Sequence, residues 1–160
     1  MSKSKFLNLS KKYPFLKKIY FFYNVYIRNF KFLTNGSQFQ EDKFILQNFP
    51  ENFKGSYLDI GCFHPTRHNN TYSLYKKGWK GINFDLMEDN TKLFKIFRPK
   101  DISVSVAISS KSGLVNSYIF DSGSGLNTLE RSWAEKWSKV INKNFKTVKI
   151  EKEKLTNLLN

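Results

Sequence analysis

The sequence predicts an α/β domain built on a parallel sheet, and three observations carry that reading. From Ser56 onward, short β-prone runs alternate with helix-length segments, the pattern in which strand–helix–strand units are written. The distance from Tyr57-Leu58-Asp59-Ile60 to Gly81-Ile82-Asn83-Phe84-Asp85 fits a right-handed βαβ crossover. Of the 160 residues, 40% are hydrophobic and 17% aromatic, enough for one domain to bury a core.

Each element has a local cause. Between Tyr13 and Leu33, Phe15, Ile19, Phe22, Tyr23, Tyr26 and Ile27 recur at three- and four-residue spacing with Lys17, Lys18 and Arg28 among them. That is an amphipathic helix, laid either against the following domain or on an anionic membrane surface. The turn formers Asn35 and Gly36 end it, so residues 1–36 form a basic helical segment and 37–160 the domain proper. A helix from Gln38 to Phe49 is closed by Pro50, and a second from Asn70 to Lys77 by Gly78. A third, Glu88 to Phe97, stops at Arg98-Pro99, and Ile102 to Ile108 alternates as a third strand. Beyond it, Val115 to Phe120 and Lys146 to Glu151 read as strands that pair antiparallel. A helix carrying Trp133 and Trp137 and a Ser/Gly-rich loop from Asp121 to Thr128 lie between them.

The formal net charge is +14, yet no basic helix, zinc-finger spacing or RNP-like motif accompanies it, so nucleic acid is not the expected partner. Cys62 is the only cysteine, which excludes a disulfide framework and points to a reducing, cytoplasmic setting. The polar N-terminus does not read as a signal peptide, and the run Ile19 to Ile27 is far short of the ~20 residues a spanning helix needs. Cys62, His64 and His68 lack a second ligand cluster, so no metal site is expected.

In an open parallel sheet, ligands bind outside the carboxyl ends of the strands. The residues there are Asp59, Gly61, Asp85 and the pair Ala107-Ile108. Asp85 lies 24 residues past Gly61, where a carboxylate can accept both hydroxyls of a ribose; it is expected to be solvated in the empty protein. A pyrophosphate needs several free backbone N–H groups at a glycine-rich helix start. Gly61-Cys62-Phe63-His64-Pro65 offers one glycine, two bulky residues and a proline, which disfavours a dinucleotide. S-adenosylmethionine needs one close backbone approach, which Gly61 allows, and a carboxylate, which Asp59 supplies. His64 reads as a general base for a hydroxyl proton or as a cap of its own loop. Cys62 beside His64 lacks the third group of a nucleophile pair, and Trp79, Trp133 and Trp137 read as core or helix-packing residues.

The blocks Asp59-Ile60-Gly61-Cys62-Phe63-His64-Pro65 with Asn70-Thr71, and Gly78-Trp79-Lys80-Gly81-Ile82-Asn83-Phe84-Asp85, resemble the FkbM-type methyltransferase family. So do Arg98-Pro99-Lys100-Asp101-Ile102 leading to Val106-Ala107-Ile108-Ser109, the later Leu126-Asn127-Thr128, and Ser37-Gln38 with Glu41-Asp42. Cys62 stands where a small residue is usual, and Gln40 replaces a glycine. The resemblance implies a Rossmann-like class I methyltransferase fold with S-adenosylmethionine as cofactor. Asp59 and Gly61 would lie at its methionine end, Asp85 on its ribose and Ala107-Ile108 near its adenine, with His64 also among the cofactor-binding residues. It implies methylation of a glycan or small-metabolite hydroxyl. After Leu155-Thr156-Asn157-Leu158-Leu159 the family continues with further strands, so the resemblance also implies a C-terminally truncated domain. Tyr57 to Ile60 would then lack a neighbour on one side. The alternatives are a non-catalytic remnant or partner-binding module, with self-association or a complementing chain.

Overall fold

The structure, a computed structural model, describes residues 13–159 except 35 and 122. The polar start of the chain, the turn former Asn35 and Ser122 of the Ser/Gly-rich loop lie outside the described residues. The N-terminal helical segment comprises α1 (Pro14–Phe22), a π-helical turn (Tyr23–Arg28) and a 3-10 turn (Phe30–Leu33). Pro14 sits in the first turn, where its missing N–H costs nothing. The Asn29 amide donates to the backbone and side-chain oxygens of Asn24, at 2.7 and 2.8 Å, and closes the turn where the helical ladder changes.

The rest of the chain runs α2 (Glu41–Gln47), β1 (Ser56–Ile60), α3 (Tyr72–Lys76), β2 (Lys80–Asp85), α4 (Glu88–Phe97), β3 (Ile102–Ser105) and β4 (Ala107–Ser109). It continues with β5 (Gly113–Ile119), α5 (Arg131–Val140), β6 (Lys146–Lys154) and α6 (Leu155–Leu159). The fold is mixed α/β, and β1, β2 and β3 form the parallel sheet in that order. Two crossovers in the same direction put α3 and α4 on the same face of it. Behind these helices lie the N-terminal ones. Phe21 and Val25 pack on Leu93 of α4, Lys17 bonds Asp89 at 2.8 Å, and Asp42 of α2 accepts from Ser73 of α3.

The expected antiparallel pair forms: β5 runs against β6 from Gly113↔Lys152 to Ile119↔Lys146. The expected third strand, Ile102 to Ile108, does not persist as one element. β2 ends at Asp85, whose carbonyl accepts from Val106 N–H at 3.0 Å, and beyond that the parallel sheet offers no partner. Ala107–Ser109 therefore pairs parallel with Lys152–Lys154 in a second sheet, β4-β6-β5. Tyr118, Phe120 and Ala134 form its small core, with Leu126, Trp137 and Phe145 against them. Trp79 is buried beside Phe49 and Phe53, as a core residue should be, whereas Trp133 is exposed on α5 and touches Trp137.

Among the described residues β1 pairs only with β2. Neither β6 nor the N-terminal helix covers it, and Leu58 and Ile60 stay 44% and 56% exposed. Gln40, which stands where the resembled family has glycine, holds a left-handed φ of 67° immediately before α2.

Candidate functional site

The loop after β1 brings Gly61 beside Asp85 at the end of β2. Gly61 and Cys62 both donate their N–H to the Phe84 carbonyl, at 2.8 and 3.1 Å, so the loop leaves β1 toward the end of β2. There Phe63 N–H donates to Asp85 Oδ2 at 2.9 Å. Gly61 holds φ +79°, and a Cβ placed on it would meet nothing within 4 Å, so its backbone faces open space. Phe63 and His68 also adopt positive φ, 56° and 49°, a conformation that costs side-chain-bearing residues and concentrates at functional loops. From the second sheet's side, a Cβ placed on Gly125 would lie 3.7 Å from the Phe63 ring, so the two loops pass close to one another.

Asp85 departs from expectation. It is buried rather than solvated, and its carboxylate already accepts from Phe63 N–H, from Met87 N–H at 2.7 Å and from Asn90 Nδ2 at 3.0 Å. Burial raises its pKa despite those bonds. A carboxylate has about four acceptor sites, so one remains for a ligand. The side chain therefore organises the 61–63 loop and the start of α4 as well as offering an oxygen.

His64 is buried within its own loop. Burial, reinforced by Arg67, His68 and Arg28, pulls it down to about 3. Its Nδ1 accepts from Thr66 N–H at 3.2 Å and Arg67 N–H at 3.0 Å, which makes it the cap of its loop. The Cys62 thiol is buried, and that burial, with Asp85 and Asp59 nearby, pushes its pKa well up. Ala107 is buried and Ile108 half-buried in β4, adjoining the end of β2 through the Val106–Asp85 bond. No group of three or more His, Cys, Asp or Glu among the described residues could hold a metal.

Asp59 belongs to a network whose centre the sequence reading missed. Its Oδ2 accepts from Asn69 Nδ2 at 3.1 Å and Thr71 Oγ1 at 2.8 Å. Those two side chains are held by Arg98, which donates from Nη1 to Asn69 Oδ1 and from Nη2 to Thr71 Oγ1, both at 3.0 Å. Arg98 is fully buried, paired with Asp101 at 2.7 Å, bonded to Tyr57 Oη and flanked by the rings of Tyr57, Tyr75 and Phe94. Tyr57 lies across Gly81, where a Cβ would sit 2.1 Å from the ring, and burial holds its phenol well above the usual pKa. Arg98 thus positions Asp59 through two intermediaries. The available signal was an Arg-Pro-Lys-Asp run directly after a helix containing Phe94 and Phe97.

A cleft of about 600 Å³ opens at the seam of the two sheets. Val104, Ser105, Leu114, Lys152 and Leu158 are in its lining, and none of the predicted cofactor residues is. No described helix is long and apolar enough to cross a membrane. No protein-family model, curated protein or solved structure matches the chain.

Proposed function

We propose that the chain is an S-adenosylmethionine-dependent methyltransferase domain with a Rossmann-like class I fold, acting on a hydroxyl of a glycan or small metabolite. One observation carries the cofactor choice: the backbone N–H groups of residues 61–67 are already spent. Gly61 and Cys62 give theirs to Phe84, Phe63 to Asp85, His64 to the Cys62 carbonyl, and Thr66 and Arg67 to His64, while Pro65 has none. A pyrophosphate would find no donor in this loop. A nucleoside-bearing ligand without phosphate asks only for close approach at Gly61 and for carboxylates on either side, and this site has both. Gly61 and Asp59 would hold the methionine end, Asp85 the ribose and Ala107-Ile108 the adenine end. Bound there, the cofactor would supply an electrophilic methyl group on a sulfonium, and the Asp59 carboxylate suits its positive charge.

Calorimetry with S-adenosylhomocysteine, S-adenosylmethionine and NAD tests the reading. S-adenosylhomocysteine should bind more tightly than NAD; preference for NAD would refute the cofactor assignment. The second reading, a binding module of the same fold, is favoured by the free edge of β1 and the exposed Leu58 and Ile60 beside it. Cofactor binding with no methyl transfer to any hydroxyl acceptor would favour it.

A further inference from the structure

The helical segment Pro14–Leu33 is apolar on two sides, and the domain uses one. Inward, Phe21 and Val25 are buried against Leu93. Outward, Phe15, Ile19, Phe22, Ile27 and Phe30 keep between 55% and 67% of their surface in water, while Tyr26 turns its ring edge-on to Phe97 of α4. Steps of four, three, five and three residues, the step of five crossing the π-helical turn, place these five on one face, a stripe about 22 Å long. An apolar patch of this extent on a soluble surface marks an interaction site.

We infer that this stripe is a docking surface for an anionic membrane, with the helix lying in the interfacial plane. Charge selects the occupant. Residues 1–40 contain eight Lys or Arg and no Asp or Glu; the first acidic residue of the chain is Glu41. Lys17 is neutralised by Asp89 of α4, but Lys18, Arg28 and Lys31 are exposed and have no acidic partner among the described residues. A second copy of the chain seated on the stripe would bring the same uncompensated cations against these, which like-charge repulsion opposes. A lipid surface rich in anionic headgroups offers the opposite charge along the whole segment. Tyr23 and Tyr26 are of the amphipathic aromatic type that settles at the headgroup level. The segment cannot cross the bilayer, since no described helix is long and apolar enough.

Vesicle co-sedimentation of the full chain tests this. Vesicles of phosphatidylcholine with about one third phosphatidylglycerol should bind it at least about tenfold more strongly than phosphatidylcholine alone. Raising the salt from about 0.1 to about 0.5 M should weaken that binding severalfold, because the shorter Debye length screens the cations. The double variant Ile19→Asp/Ile27→Asp changes only exposed positions, so its circular dichroism should match the parent while vesicle binding falls at least about tenfold. Lys18→Gln/Lys31→Gln should narrow the preference for anionic vesicles. The proposal is overturned if the parent ignores anionic vesicles or if Ile19→Asp/Ile27→Asp binds them unchanged. It is equally overturned if the parent is a dimer that this variant makes monomeric, since a second copy then occupies the stripe.

Discussion

One face of the parallel sheet carries Tyr57, Asp59, Asn83, Asp85 and Ser103; the other carries Leu58, Ile60, Ile82, Phe84, Ile102 and Val104. On the two outer strands burial runs against chemistry. On the polar face Asn83, Asp85 and Ser103 are 0%, 7% and 6% exposed, whereas on the apolar face Phe84 of the central strand is buried but Leu58, Ile60 and Ile102 of its neighbours are 44%, 56% and 61% exposed. The hand of the crossovers decides which face α3 and α4 cover, and hydrophobicity does not enter that choice. A buried polar face is tolerated to the extent that its groups are bonded. Here Arg98 and Asp101 bond Tyr57 and Asn83 Nδ2 directly and reach Asp59 through Asn69 and Thr71, while Asp85 is bonded by its own loop and Ser103 Oγ and Asn83 Oδ1 find no partner among the described residues. Gly81 N–H and Asn83 Nδ2 donate to Asp101, Tyr57 Oη donates to it as well, and Arg98 closes the set. The ion pair is therefore less a stabiliser in itself than the condition for the face being buried at all.

The sharpest way to break the contrast is Arg98→Met. It leaves Asp101 charged and unpaired in the interior, and urea denaturation should show a loss of about 3–5 kcal/mol. Arg98→Lys should recover little, because one ammonium cannot reach Asp101, Asn69, Thr71 and Tyr57 together. A loss under about 1 kcal/mol for Arg98→Met would mean that solvent reaches this face.

Next in size is Asp85→Ala, which removes the acceptor of three donors and should cost about 3 kcal/mol of stability. S-adenosylhomocysteine affinity should fall with it, by the ~1.5–3 kcal/mol of a charge-assisted hydrogen bond. Unchanged affinity in a folded variant would remove Asp85 from the ligand site while leaving its role in the loop intact.

His64 gives a pH signature of the same polar end. Its folded pKa of about 3 lies below the ordinary 6.5, so the unfolded chain takes up a proton first as pH falls. The stabilisation is present above pH 6.5 and is lost progressively down to about pH 3, at about 1.4 kcal/mol per pH unit. Between pH 6 and 4.5 that is about 2 kcal/mol. His64→Asn keeps an acceptor for Thr66 and Arg67 N–H without a titrating ring, and should flatten this slope. An unaltered slope would place the acid sensitivity elsewhere.

How much of this was legible follows from which forces act locally. The β1, β2 and α4 spans and the β5–β6 pairing lie close to their sequence readings, because alternation, Gly and Pro punctuation and helix periodicity are local signals. The break between β3 and β4 was not legible, since Val104, Val106 and Ile108 alternate without interruption and only the length of β2 ends the pairing. Gly61 and Asp85 were found at adjoining strand ends by position. The burial of Asp85 and the centrality of Arg98 were missed because they depend on contacts with residues 22 to 41 positions away. Gln40, which replaces a glycine of the resembled motif, is the converse case: its φ of 67° is the left-handed conformation that glycine adopts at least cost. Gln40→Gly should therefore stabilise the chain by about 0.5–1 kcal/mol in thermal or urea unfolding, the gain of relieving a left-handed side-chain-bearing residue.

The smallest effect belongs to the apolar face. Leu58 and Ile60 are already in water, so Leu58→Thr and Ile60→Thr forgo little transfer free energy, and β-branched threonine suits a strand. Each should change stability by less than about 0.5 kcal/mol, independent of protein concentration. Alternate amides of β1 that point away from β2 should exchange far faster than those paired with it. A loss near the ~1.5–3 kcal/mol of a fully buried aliphatic side chain, growing with protein concentration, would mean that another molecule covers this face in solution. The contrast between the two faces would then be a property of the free chain alone, and both faces would be buried by the rules that govern any parallel sheet.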